Sequence, residues 1–259
     1  MKYFIEISYR GSLYSGWQRQ NNSPSVQQTI EKCICKITKQ ELTIHGCGRT
    51  DAGVHAIQYF FHIVVDEEIS TTDFMFKMNN SLPEEIAVHA MYQVSSECNA
   101  QRDATNRRYD YFVHFDSDPF INDLSYLSRY RDLEAANIRV AMQALEGSHD
   151  FTNFCKRPDS NSNCICTISH AGLSISENGK IWRFRFEGNR FLHNMIRLLM
   201  GNLLAIGQGK LSQASYLSYL DRSHEPDFHL LAKPHGLYLS MVEYDFLKRI
   251  ERSTPFFNG

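Results

Sequence analysis

The segment GCGRTDAGVHA, residues 46–56, sets an arginine, a threonine and an aspartate in a row inside a glycine-bounded turn. A turn needs glycine, asparagine or proline for its backbone, and an aspartate there commonly bonds to its own main chain. That role gives no reason for Arg49 two residues before Asp51. A guanidinium beside a carboxylate stabilises and orients the charge. A carboxylate held in this way can act as nucleophile or base. Gly48 and Gly53 leave room for a substrate to approach the backbone closely.

Tyr109 and Tyr111 alternate along RRYDYFVHF, with Arg107 and Arg108 immediately before them. Tyrosines on a strand face commonly belong to the core. Aromatic rings edged by arginine also suit stacking of an unpaired base. In WRFRF, residues 182–186, alternation puts Trp182, Phe184 and Phe186 on a core face and leaves Arg183 and Arg185 as solvated charge. Arg197 stands apart, because Met195, Ile196, Leu198 and Leu199 surround it on a helical stretch. An arginine in such company requires a partner. A carboxylate from elsewhere in the chain is the natural one, and Asp51 is available.

The formal net charge is -2, which counts against a nucleic-acid binder. The distribution points the other way. Arg102, Arg107 and Arg108 fall close together with only Asp103 opposing, and Arg183, Arg185, Arg190 and Arg197 with only Glu187 opposing. Such clustering can make a basic groove on a neutral protein.

These residues need elements to hold them. Residues 3–9 alternate as a strand. Val26, Ile30, Ile34 and Ile37 recur at helical spacing, with Ser23 as N-cap and Pro24 in the first turn. Residues 41–46, AIQYFFHIVV and IAVHAMYQV read as strands, with a short helix over 71–81. The second half repeats this grammar. RRYDYFVHF is a strand, and LEAANIRVAMQALEG an amphipathic helix. CTISHAGLSIS and KIWRFRFEG form a hairpin through Asn-Gly. FLHNMIRLLMGNLLAIGQG is a helix ended by Gly207, SQASYLSYLD another helix and GLYLSMVEYDF a last strand. Strands and helices do not alternate one for one. The fold class is therefore α+β, with two similar lobes, mainly antiparallel sheets flanked by helices, and a boundary near residue 104. The lobes are 1–104 and 105–259. The tail RSTPFFNG is expected to fray.

With 42% hydrophobic and 22% charged residues among 259, the chain has a globular composition. No apolar run reaches membrane-spanning length, and MKYFIEISYR reads as a strand rather than a signal peptide. A cytoplasmic protein is expected. Seven cysteines make an odd count without a secretory signal, which argues against a disulfide framework. The pairs Cys33/Cys35 and Cys164/Cys166 are spaced too closely for a typical zinc site.

GRTDAGVHA resembles the active-site motif of the tRNA pseudouridine synthase A family, and the resemblance runs along nearly the whole chain. SGWQRQ with SVQQTIEK, then RRYDYFV, HDFTNFCK, FLHNMIRLLMG and KPHGLYL, are similar to that family's segments in the same order. The resemblance implies isomerisation of uridine to pseudouridine at positions 38–40 of the tRNA anticodon stem-loop. It implies a homodimer of two-lobed subunits with the active cleft between the lobes, no cofactor and no metal. Asp51 falls on the catalytic aspartate, Tyr109 on the active-site tyrosine, Arg49 on the motif arginine and Arg197 on the arginine of a helix facing the cleft. Arg102, Arg107 and Arg108 are the expected substrate-binding cations beside Tyr109. The chain departs from the family at Ala100-Gln101-Arg102, where members commonly read Ala-Arg-Phe. In a strand this shift of one place sends the arginine to the opposite face and loses the contact; in a loop, which the polar, non-alternating ECNAQRDATN favours, Arg102 replaces the displaced charge.

Two other functions fit parts of the sequence. A non-catalytic RNA-binding module would use the aromatic and arginine strands, but leaves the Arg49–Asp51 pair unused. A metal-dependent hydrolase would recruit His45 and His55 to Asp51, but no tight ligand cluster accompanies them.

Overall fold

The computed structural model describes residues 1–158, 163–226 and 230–256. It contains ten strands and five α-helices among those residues, in two compact units. The first comprises Met1–Thr105 and Tyr238–Gly259, the second Asn106–Leu237.

In the first unit, β1 (Lys2–Tyr9) pairs antiparallel with both β3 (His55–Val64) and β4 (Ile86–Val94). The short β2 (His45–Gly46) lies antiparallel to the far end of β3. Only the last two residues of the stretch 41–46 therefore form a strand. After the second unit the chain returns as β10 (Leu237–Glu243), which pairs parallel with β3 at Tyr238 and Leu239. Helix α2 (Thr71–Ser81) packs on β4 and touches α1 (Val26–Thr38). The N-cap of α1 is Ser25, whose hydroxyl accepts from the Gln28 backbone N–H at 3.2 Å. Ser23 is not the cap, because a capping oxygen must reach an N–H two or three residues on, and Pro24 lies before the helix.

β1 is buried on both faces, which explains its nearly unbroken run of covered side chains. On one face, Phe4 meets Tyr244 and Phe246 edge-on at 5.4 Å each. Glu6, fully buried on the same face, accepts from Gln58 Nε2 at 3.0 Å and Arg252 Nε at 2.6 Å. The tail is thus tied down as far as Arg252. Residues 257–259, the end of the stretch expected to fray, lie outside the described residues.

In the second unit, β5 (Asn106–His114), β9 (Ile181–Gly188), β8 (Ile165–Ile175) and β7 (Gly147–Asp150) form an antiparallel sheet in that order. The two-residue β6 (Tyr126–Leu127) lies parallel to β5. Helices α3 (Ala135–Gln143), α4 (Met195–Gly207) and α5 (Gln213–Leu220) complete it, with α3 packed on β8, α4 and α5. α4 begins later than the apolar run suggests, because Asn194 takes the left-handed conformation at φ 61° and breaks the helix before Met195.

The register Tyr109↔Phe186, Tyr111↔Phe184 and Val113↔Trp182 builds an aromatic ladder on one face, as alternation requires. The opposite face is not simply solvated charge. Asp110, fully buried, accepts from Arg185 Nε at 2.9 Å and Nη2 at 3.3 Å. Arg108 donates to Glu187 at 2.7 Å, with both side chains largely covered. Burial also pulls the Arg183 guanidinium below its ordinary range, with Arg185 adding to the effect.

Candidate active site

The loop carrying Asp51 runs from the end of β2 to the start of β3. It opens with the Cys47 N–H donating to the Phe60 carbonyl at 2.8 Å and closes with the Val54 N–H donating to the Asp51 carbonyl at 3.1 Å. The chain after β1 lies directly beneath. Trp17 N–H donates to the Thr50 carbonyl and Gly53 N–H to the Tyr14 carbonyl, both at 3.2 Å. Two glycines permit this approach. A Cβ at Gly16 would stand 2.3 Å from the Thr50 carbonyl oxygen, and one at Gly11 only 1.9 Å from that of Val54. Gly16 also has φ +89°, which side-chain-bearing residues rarely adopt.

Side chains in the loop alternate in direction. Arg49 is exposed, Thr50 buried and Asp51 half-buried. The Thr50 hydroxyl meets the Tyr9 hydroxyl at 2.9 Å, and the Tyr59 hydroxyl donates to the Gly48 carbonyl at 2.5 Å. Burial pushes the Tyr59 phenol well above its ordinary pKa, so it is a fixed donor at neutral pH. Arg49 and Asp51 are thus two outward groups on a backbone held from below.

Arg102 lies in a turn rather than a strand, 70% exposed, and donates to Asp103 Oδ1 at 3.0 Å and the Glu97 carbonyl at 2.9 Å. The histidines flanking the loop are held structurally. His45 stacks on His62 at 5.0 Å, while His55 stacks on Tyr238 at 4.6 Å and accepts from the Gly11 N–H through Nδ1. Among the described residues, no group of three or more His, Cys, Asp or Glu side chains is arranged to hold a metal ion. None of their helices is long and apolar enough to cross a membrane. All seven cysteines are free thiols, with Cys33 buried and Cys35 half-buried on α1.

The second unit positions the remaining candidates. Tyr109 is half-buried on β5, its ring edge-on to Phe191 at 5.1 Å and 82°. Arg107 donates to the Asn189 carbonyl at 2.9 Å, whereas Arg108 is paired with Glu187. Arg197 lies on the first turn of α4, half-buried among fully buried neighbours. Its Nε donates to the Ala232 carbonyl at 2.9 Å and its Nη1 to Asn194 Oδ1 at 3.1 Å. Each unit therefore groups its own candidates: Arg49 and Asp51 on one loop, Tyr109, Arg107 and Arg108 on one strand, and Arg197 on one helix.

Spacing offers no reason to single out Phe191, which reads as the first residue of a helix. The Tyr9, Trp17 and Tyr59 scaffold was equally hidden, although Gly16 beside Trp17 signals a close backbone approach.

A family model described as tRNA pseudouridine synthase matches residues 6–101 and 141–245. The matched segments include the Asp51 loop and α4, and β5 falls between them. The tRNA pseudouridine synthase A of Porphyromonas gingivalis is 35% identical over 246 residues, covering 94% of this chain and 97% of that protein. That of Parabacteroides distasonis is 37% identical over 245 residues, covering 94% and 96%. Among solved structures, a chain in the crystal structure of the archaeal box H/ACA sRNP Nop10-Cbf5 complex aligns at 13% identity with a TM-score of 0.39, covering 79% of this chain and 44% of that one. The family model spans most of the sequence and the curated relatives nearly all of it; the chain belongs to the tRNA pseudouridine synthase A family.

Proposed function

We propose that this enzyme isomerises uridine to pseudouridine in the anticodon stem-loop of tRNA, at positions 38–40, with Asp51 as the essential carboxylate. The observation that carries this reading is the Asp51 loop. Its backbone is held by buried hydroxyls and main-chain bonds, and it carries an exposed arginine and a half-buried aspartate two residues apart. A turn aspartate with a purely structural role needs neither.

The reaction breaks the bond between uracil N1 and the sugar C1′, turns the base, and joins C5 to the same C1′. The C5 proton leaves and N1 gains one, so the change is redox-neutral and consumes no water. Asp51 engages the nucleoside. Tyr109 stacks on the uracil and takes the C5 proton. The base must leave the stack to be reached, and an arginine edge or an aromatic face holds the gap. Arg197 pairs with Asp51, and Arg102, Arg107 and Arg108 bind the RNA. The detached uracil must be retained while it turns, so the site excludes water. We further infer a homodimer acting in the cytoplasm.

Tritium release from tRNA carrying C5-labelled uridine tests this reading. Wild-type protein is expected to release tritium, and Asp51→Asn to release none while its affinity for tRNA stays within about tenfold, roughly 1.4 kcal/mol. Appreciable turnover by Asp51→Asn would refute the assignment. Binding without release by the wild type would instead establish a non-catalytic RNA-binding module.

A further inference from the structure

The residue between Arg49 and Asp51 turns the opposite way from both. Thr50 is buried, and its Oγ1 lies 2.9 Å from the Tyr9 hydroxyl in a contact closed off from solvent. Tyr9 is itself buried, edge-on to Tyr59 at 5.6 Å, and Trp17 stacks on Tyr59 at 4.1 Å. Two more bonds from these residues reach the loop, one from the Tyr59 hydroxyl to the Gly48 carbonyl and one from the Trp17 backbone N–H to the Thr50 carbonyl. Residues 48 and 50 are thus gripped on either side of Arg49 and immediately before Asp51, and none of these bonds uses either outward side chain.

We propose that Tyr9 and Thr50 form a positioning pair for the isomerase, in which the inward hydroxyl contact of Thr50 sets the direction in which Asp51 leaves the loop. The inference rests on the reading of Asp51 as the essential carboxylate. Thr50 is buried between the exposed Arg49 and the half-buried Asp51, so anchoring Thr50 inward fixes the backbone from which both neighbours leave the loop. A buried hydroxyl that loses its partner is destabilised and its backbone relaxes. A displacement of about 1 Å at a reacting group can slow a reaction on the order of a hundredfold without touching remote binding contacts. The Tyr9–Thr50 pair touches no substrate in this account and acts only through Asp51.

Three variants test the proposal: Thr50→Val, which removes the hydroxyl and keeps the branched shape; Thr50→Ser, which keeps the hydroxyl and loses the methyl; and Tyr9→Phe, which keeps the ring. With tRNA as substrate, kcat is expected to fall at least about tenfold in Thr50→Val and Tyr9→Phe, with KM within about threefold of wild type, and Thr50→Ser to stay near wild type. A merely structural role would make Thr50→Ser at least as harmful and leave kcat of the folded fraction unchanged. Backbone amide exchange over residues 48–53, measured without RNA, is expected to speed up in Thr50→Val and not in Thr50→Ser. That second readout does not depend on turnover, so a wild-type protein inactive on tRNA would sink the functional reading while exchange still decides the positioning. Exchange in Thr50→Val equal to wild type overturns the proposal, as does kcat within about twofold of wild type in both hydroxyl-deleting variants.

Discussion

Asp110 sits on β5 next to Tyr109 and is fully buried, with Arg185 as a two-bond partner at 2.9 and 3.3 Å. Asp110→Asn keeps the side-chain volume and removes the charge. Arg185 is then left with a guanidinium that is only 23% exposed and has lost its carboxylate. Breaking a fully buried pair on one side costs about 3–5 kcal/mol. The partial exposure of Arg185 lets water recover some of this, so a loss of about 2–4 kcal/mol is expected. For a chain of this length each kcal/mol moves Tm by about 2–4 °C, which puts the fall at roughly 4–16 °C. Urea unfolding followed by circular dichroism should show a lower midpoint with an unchanged slope. The double variant Asp110→Asn with Arg185→Met removes the orphaned charge as well and should regain most of the loss, because the deficit lies in the unpaired cation. A single variant within about 0.5 kcal/mol of wild type, or a double variant no better than the single one, would refute the reasoning.

Two further outcomes follow from the first unit. His62 is buried between Phe4 and His45, accepts from the Ala100 N–H at 3.2 Å, and is pulled down to about 4, mainly by burial and then by His45 and Lys2. An unfolded histidine protonates near pH 6.5, so between roughly 6.5 and 4 the unfolded state binds more protons and stability drops as pH falls. His62→Gln should make that slope shallower in urea midpoints taken from about pH 7 to about pH 4.5, and an identical slope would show that His62 is not responsible. Arg252→Ala should destabilise the fold by about 1–3 kcal/mol, since Glu6 keeps Gln58 but loses its cation. Limited proteolysis after Tyr244 should speed up in step, and a tail as protected as in wild type would count against Arg252 as its anchor.

Most of the fold can be read from local pattern. Helices α1, α2, α3 and α5 and the long strands follow the apolar period, because each buries a face set by its own spacing. The departures have local causes that spacing does not encode. The cap of α1 depends on which hydroxyl reaches an N–H, and Ser23 and Ser25 look alike in sequence. The start of α4 depends on one backbone angle at Asn194. β7 has no strand pattern at all, and GSHD is extended only because β8 offers it a partner. The tail contains Pro255 and ends in a glycine, so it reads as frayed until the buried Glu6 is found waiting for a cation.

The Asp51 loop shows why a site can be half legible. Arg49, Thr50 and Asp51 are three polar residues in a row, and a polar triplet carries no period from which to tell inward from outward. The chemistry of Arg49 and Asp51 can be guessed from their types, but the direction of Thr50 cannot, because its partner Tyr9 is 41 residues away. The same holds for Arg183 and Arg185, which read as solvated because alternation reports only which residues share a face, not whether that face is covered. Asp110 alone decides the matter for Arg185. In both places the missing information is one polar side chain supplied by another strand. A carboxylate that must be held still while it reacts requires such atoms, and they come from residues that sequence reading assigns to the core. If Asp51 is the essential carboxylate, the buried tyrosines of β1 and β3 belong with its loop, although neither they nor Thr50 would be chosen by the chemistry of their side chains.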